Sequence, residues 1–241
     1  MRTNSEKVSG GKTVYGASVG ILMLEARFPR ILGDMGNAQS WPFPVLYKVV
    51  EGASPNLVVR NSAQGLLEQF ILAGKELVRN GADGVTTNCG FLSLFQKELS
   101  FALQVPVATS SLMQVPLIQS TLPETKRVSI LTISSSSLTE RHLSCAGCKL
   151  DTPVESTEGG KEFSRAILDN ELEMDIGLAR LDNIEAAERL MRKHPETGAI
   201  VLECTNMVPY AADIRRATGV PVYTIFSFIS WFQSGLSPEE F

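Results

Sequence analysis

At 241 residues, 44% apolar and 20% charged, the chain has the size and composition of one large or two small globular α/β units with cores of their own. A net charge of −4 gives no basic face for a nucleic-acid backbone, and no apolar run reaches the length of a membrane span. The polar first residues lack the apolar centre of a signal peptide, and four cysteines are too few for a disulfide scaffold, so the expectation is a cytoplasmic protein without nucleic-acid or membrane partners.

Residues 1–12 are expected to form a flexible tail. The nearly continuous apolar run from Tyr15 to Leu24 predicts a strand buried on both faces of a parallel sheet. Ala26 to Pro44, with prolines, charges and aromatics mixed, reads as a long packed loop. Val45 to Val50 is a second strand, and Ser62 to Asn80 an amphipathic helix stopped at Gly81. A strand ending at Cys89 follows. Then come a helix over Phe91 to Leu103, a strand over Val105 to Thr109, a helix over Leu112 to Leu122 and a strand over Arg127 to Ile133. That strand runs into Ser134, Ser135, Ser136 and Ser137, where parallel sheets place ligand contacts. Helices are predicted over Leu138 to Cys145, Glu162 to Leu172 and Asn183 to Lys193. The strand Ala199 to Leu202, the helix Pro209 to Thr218, the strand Val220 to Thr224 and the helix Ile225 to Ser234 complete the alternation.

Two stretches repeat. Thr86-Thr87-Asn88-Cys89-Gly90 and Glu203-Cys204-Thr205-Asn206 each follow a β-branched or apolar run and open a helical segment. Each cysteine is followed 17 residues later by the proline of a Val-Pro-Val segment, Pro106 and Pro221. The pattern predicts two related α/β halves, one thiol at a strand's carboxyl end in each. The first half is expected over 13–111 with 217–241, the second over 112–216, the last strand and helix returning to the first sheet. A cysteine at a helix start is expected to favour thiolate. Two such thiols on opposite sides of a ligand could invert a stereocentre, one removing a proton while the other supplies one.

With these motifs, and with the first strand Val19 to Leu24 and the turn Ile130-Leu131-Thr132-Ile133-Ser134-Ser135, the chain resembles the cofactor-independent aspartate/glutamate/hydantoin racemase superfamily over nearly its whole length. The resemblance implies an α/β fold of two flavodoxin-like parallel-sheet subdomains, related by a pseudo-two-fold axis, that enclose the active site. It further implies a PLP-independent racemase or epimerase, an isomerase with Cys89 and Cys204 as the acid/base pair for 1,1-proton transfer on a small carboxylate, amino acid or hydantoin-like compound. A decarboxylase or cis-trans isomerase of the same superfamily is the alternative. A small-ligand binder or thiol redox sensor is the alternative of another class. No cofactor and no metal are expected. The partner is a small-molecule substrate, with a homo-oligomer allowed. Departures fall at Cys89-Gly90-Phe91, where relatives usually carry Cys-Asn-Thr, at Asn206, where they carry His or Glu, and at Glu25-Ala26-Arg27, where Asp-Ser-Gly is common. They argue against glutamate or aspartate as substrate.

Glu25, Arg27, Asn88, Gly90, Thr132, Ser134, Ser135, Thr205 and Asn206 are the expected substrate-binding residues, being at strand ends or helix starts; several of these types also cap helices anywhere. Arg30 shares the strand-end position of Glu25 and Arg27. Glu203, beside a thiol, would be costly if buried alone and is expected to meet an arginine or hold its proton. Cys145-x-x-Cys148 near His142 lacks the second pair a structural zinc needs and reads as structural or free thiols. His194 reads as a surface residue at a helix end.

Overall fold

Every position of β1 (Val19–Leu24) is buried, and its alternate side chains feed two apolar clusters: Val19, Ile21 and Met23 one, Leu22 and Leu24 the other. The structure is a computed structural model and describes residues 9–239. Most of the expected tail, residues 1–8, lies outside the described residues. Lys12 is held, its Nζ donating to Gly81 O at 3.1 Å and pairing with Asp83. After the irregular stretch 26–44, where Ala38–Ser40 makes a turn of 3-10 helix, β2 (Val45–Val50) pairs parallel with β1.

Next comes a helix the periodicity did not suggest, α1 (Pro55–Arg60). Ser54 Oγ accepts from Leu57 N–H at 3.3 Å and Pro55 sits in the first turn, both start signals in their own right. α2 (Leu67–Asn80) begins later than expected because Ser62 and Ala63 have φ of 51° and 52°, outside the right-handed helical region. Its stripe of Phe70, Ala73, Gly74 and Leu77 is buried, and Gly81, at φ 134°, ends it. β3 (Gly84–Thr87), a 3-10 segment Gly90–Phe95, α3 (Gln96–Leu103) and β4 (Val107–Ala108) complete a sheet of order β2-β1-β3-β4, parallel throughout.

The second half runs through the 3-10 segment Ser111–Gln114, α4 (Val115–Thr121), β5 (Arg127–Thr132), α5 (Glu140–Cys145) and β6 (Val154–Ser156). It continues with α6 (Phe163–Leu168), α7 (Ile176–Lys193), β7 (Thr197–Leu202), the 3-10 segment Thr205–Tyr210, α8 (Ala211–Thr218), β8 (Val222–Tyr223) and α9 (Ile225–Leu236). Its sheet, β6-β5-β7-β8, is also parallel and repeats the order of the first, each strand displaced by four in the chain. The expected pair of related parallel sheets is what the chain forms.

One expectation about the join needs correcting. β8 pairs with β7 and stays in the second sheet; only α9 crosses back. Ile225, Phe228 and Ile229 pack with Val19, Ile21 and Met23. Conversely α4, which follows the first sheet, serves the second: Gln119 Oε1 accepts from Val128 N–H at 2.9 Å. Each half's last helix covers the other half, and one cluster joins Leu22, Phe91 and Leu112 to Ile130, Leu202 and Tyr210.

Candidate active site between the two sheets

The residue before each cysteine straps down the first strand of its sheet. Asn88 N–H donates to Leu22 O at 3.0 Å and its Oδ1 accepts from Leu24 N–H at 2.7 Å. In the second half Glu203 N–H donates to Leu131 O at 2.8 Å, and its carboxylate takes the backbone hydrogen bond of Ile133. Cys89 and Cys204 follow these straps in extended conformation, each opening a six-residue 3-10 segment. Thr205 Oγ donates to Asn88 O at 2.6 Å and ties the two straps together.

Both thiols line one narrow pocket between the halves. Asn88, Cys89, Gly90 and Phe91 come from one side; Glu203, Cys204, Thr205 and Asn206 from the other. The walls are apolar: Leu24, Phe28, Pro55, Val59, Ile133, Ile167 and Leu168. Behind Cys204 runs a polar chain. Its Sγ meets Asn206 Oδ1 at 3.6 Å, Asn206 Nδ2 donates to Asp34 Oδ2 at 2.6 Å, and Asp34 Oδ1 pairs with Arg30 Nη1 at 2.8 Å. Asp34 accepts only, so the Asn206 amide must turn its oxygen to the thiol. The Arg30 guanidinium stacks 4.5 Å over Phe28.

Glu203 is fully buried. Thr132 Oγ donates to its Oε2 at 2.7 Å, while Oε1 has no partner. Burial pushes its carboxyl up to about 7 against the pull of the Thr132 and Ile133 hydrogen bonds. No arginine or lysine among the described residues pairs with it, so of the two expectations for Glu203 the retained proton is the one that fits.

The expected preference for thiolate is reversed. Burial raises the Cys89 thiol, Glu203 raises it further, and the Phe91 backbone N–H and Arg30 only partly offset this. Cys204 is pushed well above the ordinary range by burial and then by Glu203, with the Asn206 backbone N–H pulling the other way and Cys89 itself adding to the rise. A short 3-10 segment supplies too little dipole to overcome desolvation beside a carboxylate.

Of the expected substrate-binding residues, Asn88, Gly90, Thr205 and Asn206 share the pocket with the thiols, and Thr132 stands behind Glu203. The rest are elsewhere. Glu25 Oε2 accepts from Gly52 N–H at 2.8 Å, and Arg27 is exposed, its N–H donating to Asn170 Oδ1 at 2.6 Å. Ser134 and Ser135 donate to Glu158 at 2.7 and 3.0 Å. Burial alone would raise Glu158; the hydrogen bonds from Ser136, Ser134 and Ser135 outweigh it and hold the carboxyl at about 2. The serine run is thus a self-contained cradle for Glu158. Asp34, and the pocket walls from α1 and α6, carried no signal read from the sequence. All four cysteines are free, and Cys148 Sγ donates to Leu112 O at 3.4 Å. Among the described residues no group of three His, Cys, Asp or Glu side chains is placed to hold a metal ion, and no helix is long and apolar enough to cross a membrane.

The paired sheets with a pocket at their joint are a fold shared with solved decarboxylase and racemase structures. Unliganded arylmalonate decarboxylase matches with a TM-score of 0.57 at 15% identity, covering 93% of this chain and 94% of that one. Allantoin racemase from Pseudomonas fluorescens matches at 0.56 and 16%, covering 90% and 89%, and Picrophilus torridus aspartate racemase at 0.54 and 10%, covering 91% and 94%. At such identities the likeness is one of fold. No protein-family model matches the chain. Curated relatives are more specific: a dimethylsulfoniopropionate lyase of Durusdinium sp. clade D is 26% identical over 230 residues, 91% of this chain and 75% of the relative. Dimethylsulfoniopropionate lyases 7 and 6 of Emiliania huxleyi (strain CCMP1516) are 27% and 29% identical, over 91% and 86% of this chain and 67% and 56% of their own lengths. These relatives overturn the expected racemase or epimerase activity, and with it the isomerase class, because each is a lyase. The decarboxylase alternative is nearer in class but not the same reaction.

Proposed function

We propose that the chain is a lyase that acts on a small carboxylate carrying a leaving group on the carbon beyond its acidic C–H, with dimethylsulfoniopropionate as the substrate. The observation that carries this reading is the presence of Cys89 and Cys204 in one apolar pocket, in a chain similar to lyases named for that compound. In the reaction, the thiolate of one cysteine takes the proton from the carbon next to the carboxylate. The released electron pair forms the carbon–carbon double bond, and the carbon–sulfur bond breaks with its pair going to sulfur, leaving acrylate and dimethyl sulfide. A neutral sulfide departs without a proton, so one base suffices. The thiol left behind returns its proton to water. A thiol raised by burial is scarce as thiolate but more basic once ionised, which suits a carbon acid this weak. The apolar walls exclude water and so strengthen the polar contacts that the developing charge makes in the pocket.

Headspace measurement of dimethyl sulfide during incubation with dimethylsulfoniopropionate tests the reading. Release in step with acrylate is expected, and Ser in place of the base cysteine should lower the rate at least about 100-fold. Cys89→Ser and Cys204→Ser, compared, assign the base. Absence of release, or retention of the native rate in both variants, overturns the proposal.

A further inference from the structure

We propose that Glu203 is the substrate-selecting residue of this pocket, its free carboxylate oxygen receiving the onium head of a short zwitterionic carboxylate. This rests on the lyase reading above and accounts for the part of the substrate that the thiols do not.

Glu203 is the only acidic or basic side chain among the described residues that line the pocket with the two thiols. It is 0% exposed, and Oε1 has no hydrogen-bond partner. An unpartnered polar atom shut away from water is costly, and native structures keep few of them. The strap does not require an acid. At the equivalent place in the first half, Asn88 holds the end of β1 with a neutral amide, through the same backbone partners. The acid is therefore extra to the fold. Gly90 packs against the carboxylate without supplying it a hydrogen bond: a Cβ there would lie 2.2 Å from Oε1, so only glycine lets the two halves approach this closely. Phe91 lines the same pocket and offers an aromatic ring to the methyl groups of an onium cation.

An uncharged carboxylate of the same shape offers Oε1 no cation and is bound less well.

Two ligands of one shape test this: propionate bearing a trimethylammonium group on its terminal carbon, and the same acid with an uncharged tert-butyl group there. By calorimetry the native protein is expected to bind the onium ligand at least about tenfold more tightly. Glu203→Gln, of the same shape, is expected to bring the ratio to about one while leaving the tert-butyl acid's affinity as it was. Infrared difference spectra need no variant: the onium ligand should deplete a carboxylic-acid carbonyl band at neutral pH, and the tert-butyl acid should not. No preference in the native protein, a preference kept in Glu203→Gln, or no infrared change overturns the proposal. Neither ligand carries a group that leaves readily, so binding is read apart from turnover. Dimethyl sulfide release without an onium preference removes this inference alone; an onium preference lost in Glu203→Gln, with no dimethyl sulfide formed, keeps the subsite and removes the lyase reading.

Discussion

At the scale of single residues, two buried groups titrate against each other. His142 accepts from Thr139 N–H at Nδ1, 3.1 Å, which leaves the proton of the neutral ring on Nε2; that nitrogen is buried without a partner, and the ring lies 5.1 Å from Phe91 beside the Cys89 turn. Burial, with Arg141 adding to it, lowers His142 from 6.5 to about 4. Its folded value lies below its unfolded one, so its contribution to stability is complete above pH 6.5 and is lost as pH falls toward 4. Glu203, raised from 4.5 to about 7, has the opposite sign: its contribution is complete below pH 4.5 and lost as pH rises through 7. Between pH 4.5 and 6.5 the two offset each other. Urea unfolding across that range should therefore show His142→Gln losing stability as pH rises and Glu203→Gln gaining it, each by on the order of 2 kcal/mol relative to the native protein. Parallel slopes in all three proteins would contradict both assignments. The two thiols and their neighbours Asn88, Gly90, Thr205 and Asn206 were legible here because a motif repeated within one chain marks equivalent positions. Glu25, Arg27, Ser134 and Ser135 were misplaced because a polar residue at a strand end can face the pocket or another loop, and only the partner decides: Gly52, Asn170 or Glu158.

At the scale of elements, α6 supplies Ile167 and Leu168 to the pocket wall but is too short to hold itself in place. α7 holds it. Asp182, buried within α7, accepts from the backbone N–H groups of Lys161, Glu162 and Phe163 at 2.8, 2.7 and 2.8 Å. Asp182→Ala leaves three donors unpaired and should cost about 2 to 3 kcal/mol in denaturant unfolding. Asp182→Asn should cost less, and both should raise KM for the substrate. An unchanged midpoint in Asp182→Ala would show that α6 is held otherwise. The same residue explains a misreading: Asp182 and Asn183 interrupt the apolar stripe, so the helix was expected to start at Asn183. It starts at Ile176, where Asp175 Oδ1 accepts from Leu178 N–H at 2.9 Å. β6 was missed because it is a three-residue edge strand containing Glu155 and Ser156, a pattern that reads as loop until a neighbour pairs with it.

At the scale of the whole molecule, the exchange of α4 and α9 makes the halves one body, and α1 of the first half meets α6 of the second where both wall the pocket. There Arg60 pairs with Asp169 at 3.1 Å, both side chains 47% exposed, near the contact of the Arg27 N–H with Asn170. An ion pair so open to water contributes at most about 1 kcal/mol to stability. Its place between α1 and α6, which both wall the thiol pocket, gives it a different effect. Arg60→Ala should leave the unfolding midpoint within experimental scatter yet speed iodoacetamide labelling of Cys89, measured by mass spectrometry; equal labelling rates would show that access does not run past α1 and α6.

The sequence by itself determined the alternation of buried strands and helices, the duplication of the halves and the place of one thiol in each, because periodicity and repeated spacing are local properties of a chain. Tertiary structure decided the rest. Which helix covers which sheet, where Glu25 and the serine run point, and the unpaired buried carboxyl of Glu203 near two raised thiols all depend on partners distant in sequence. Desolvation, the cause of those shifts, exists only once the two halves close over the pocket.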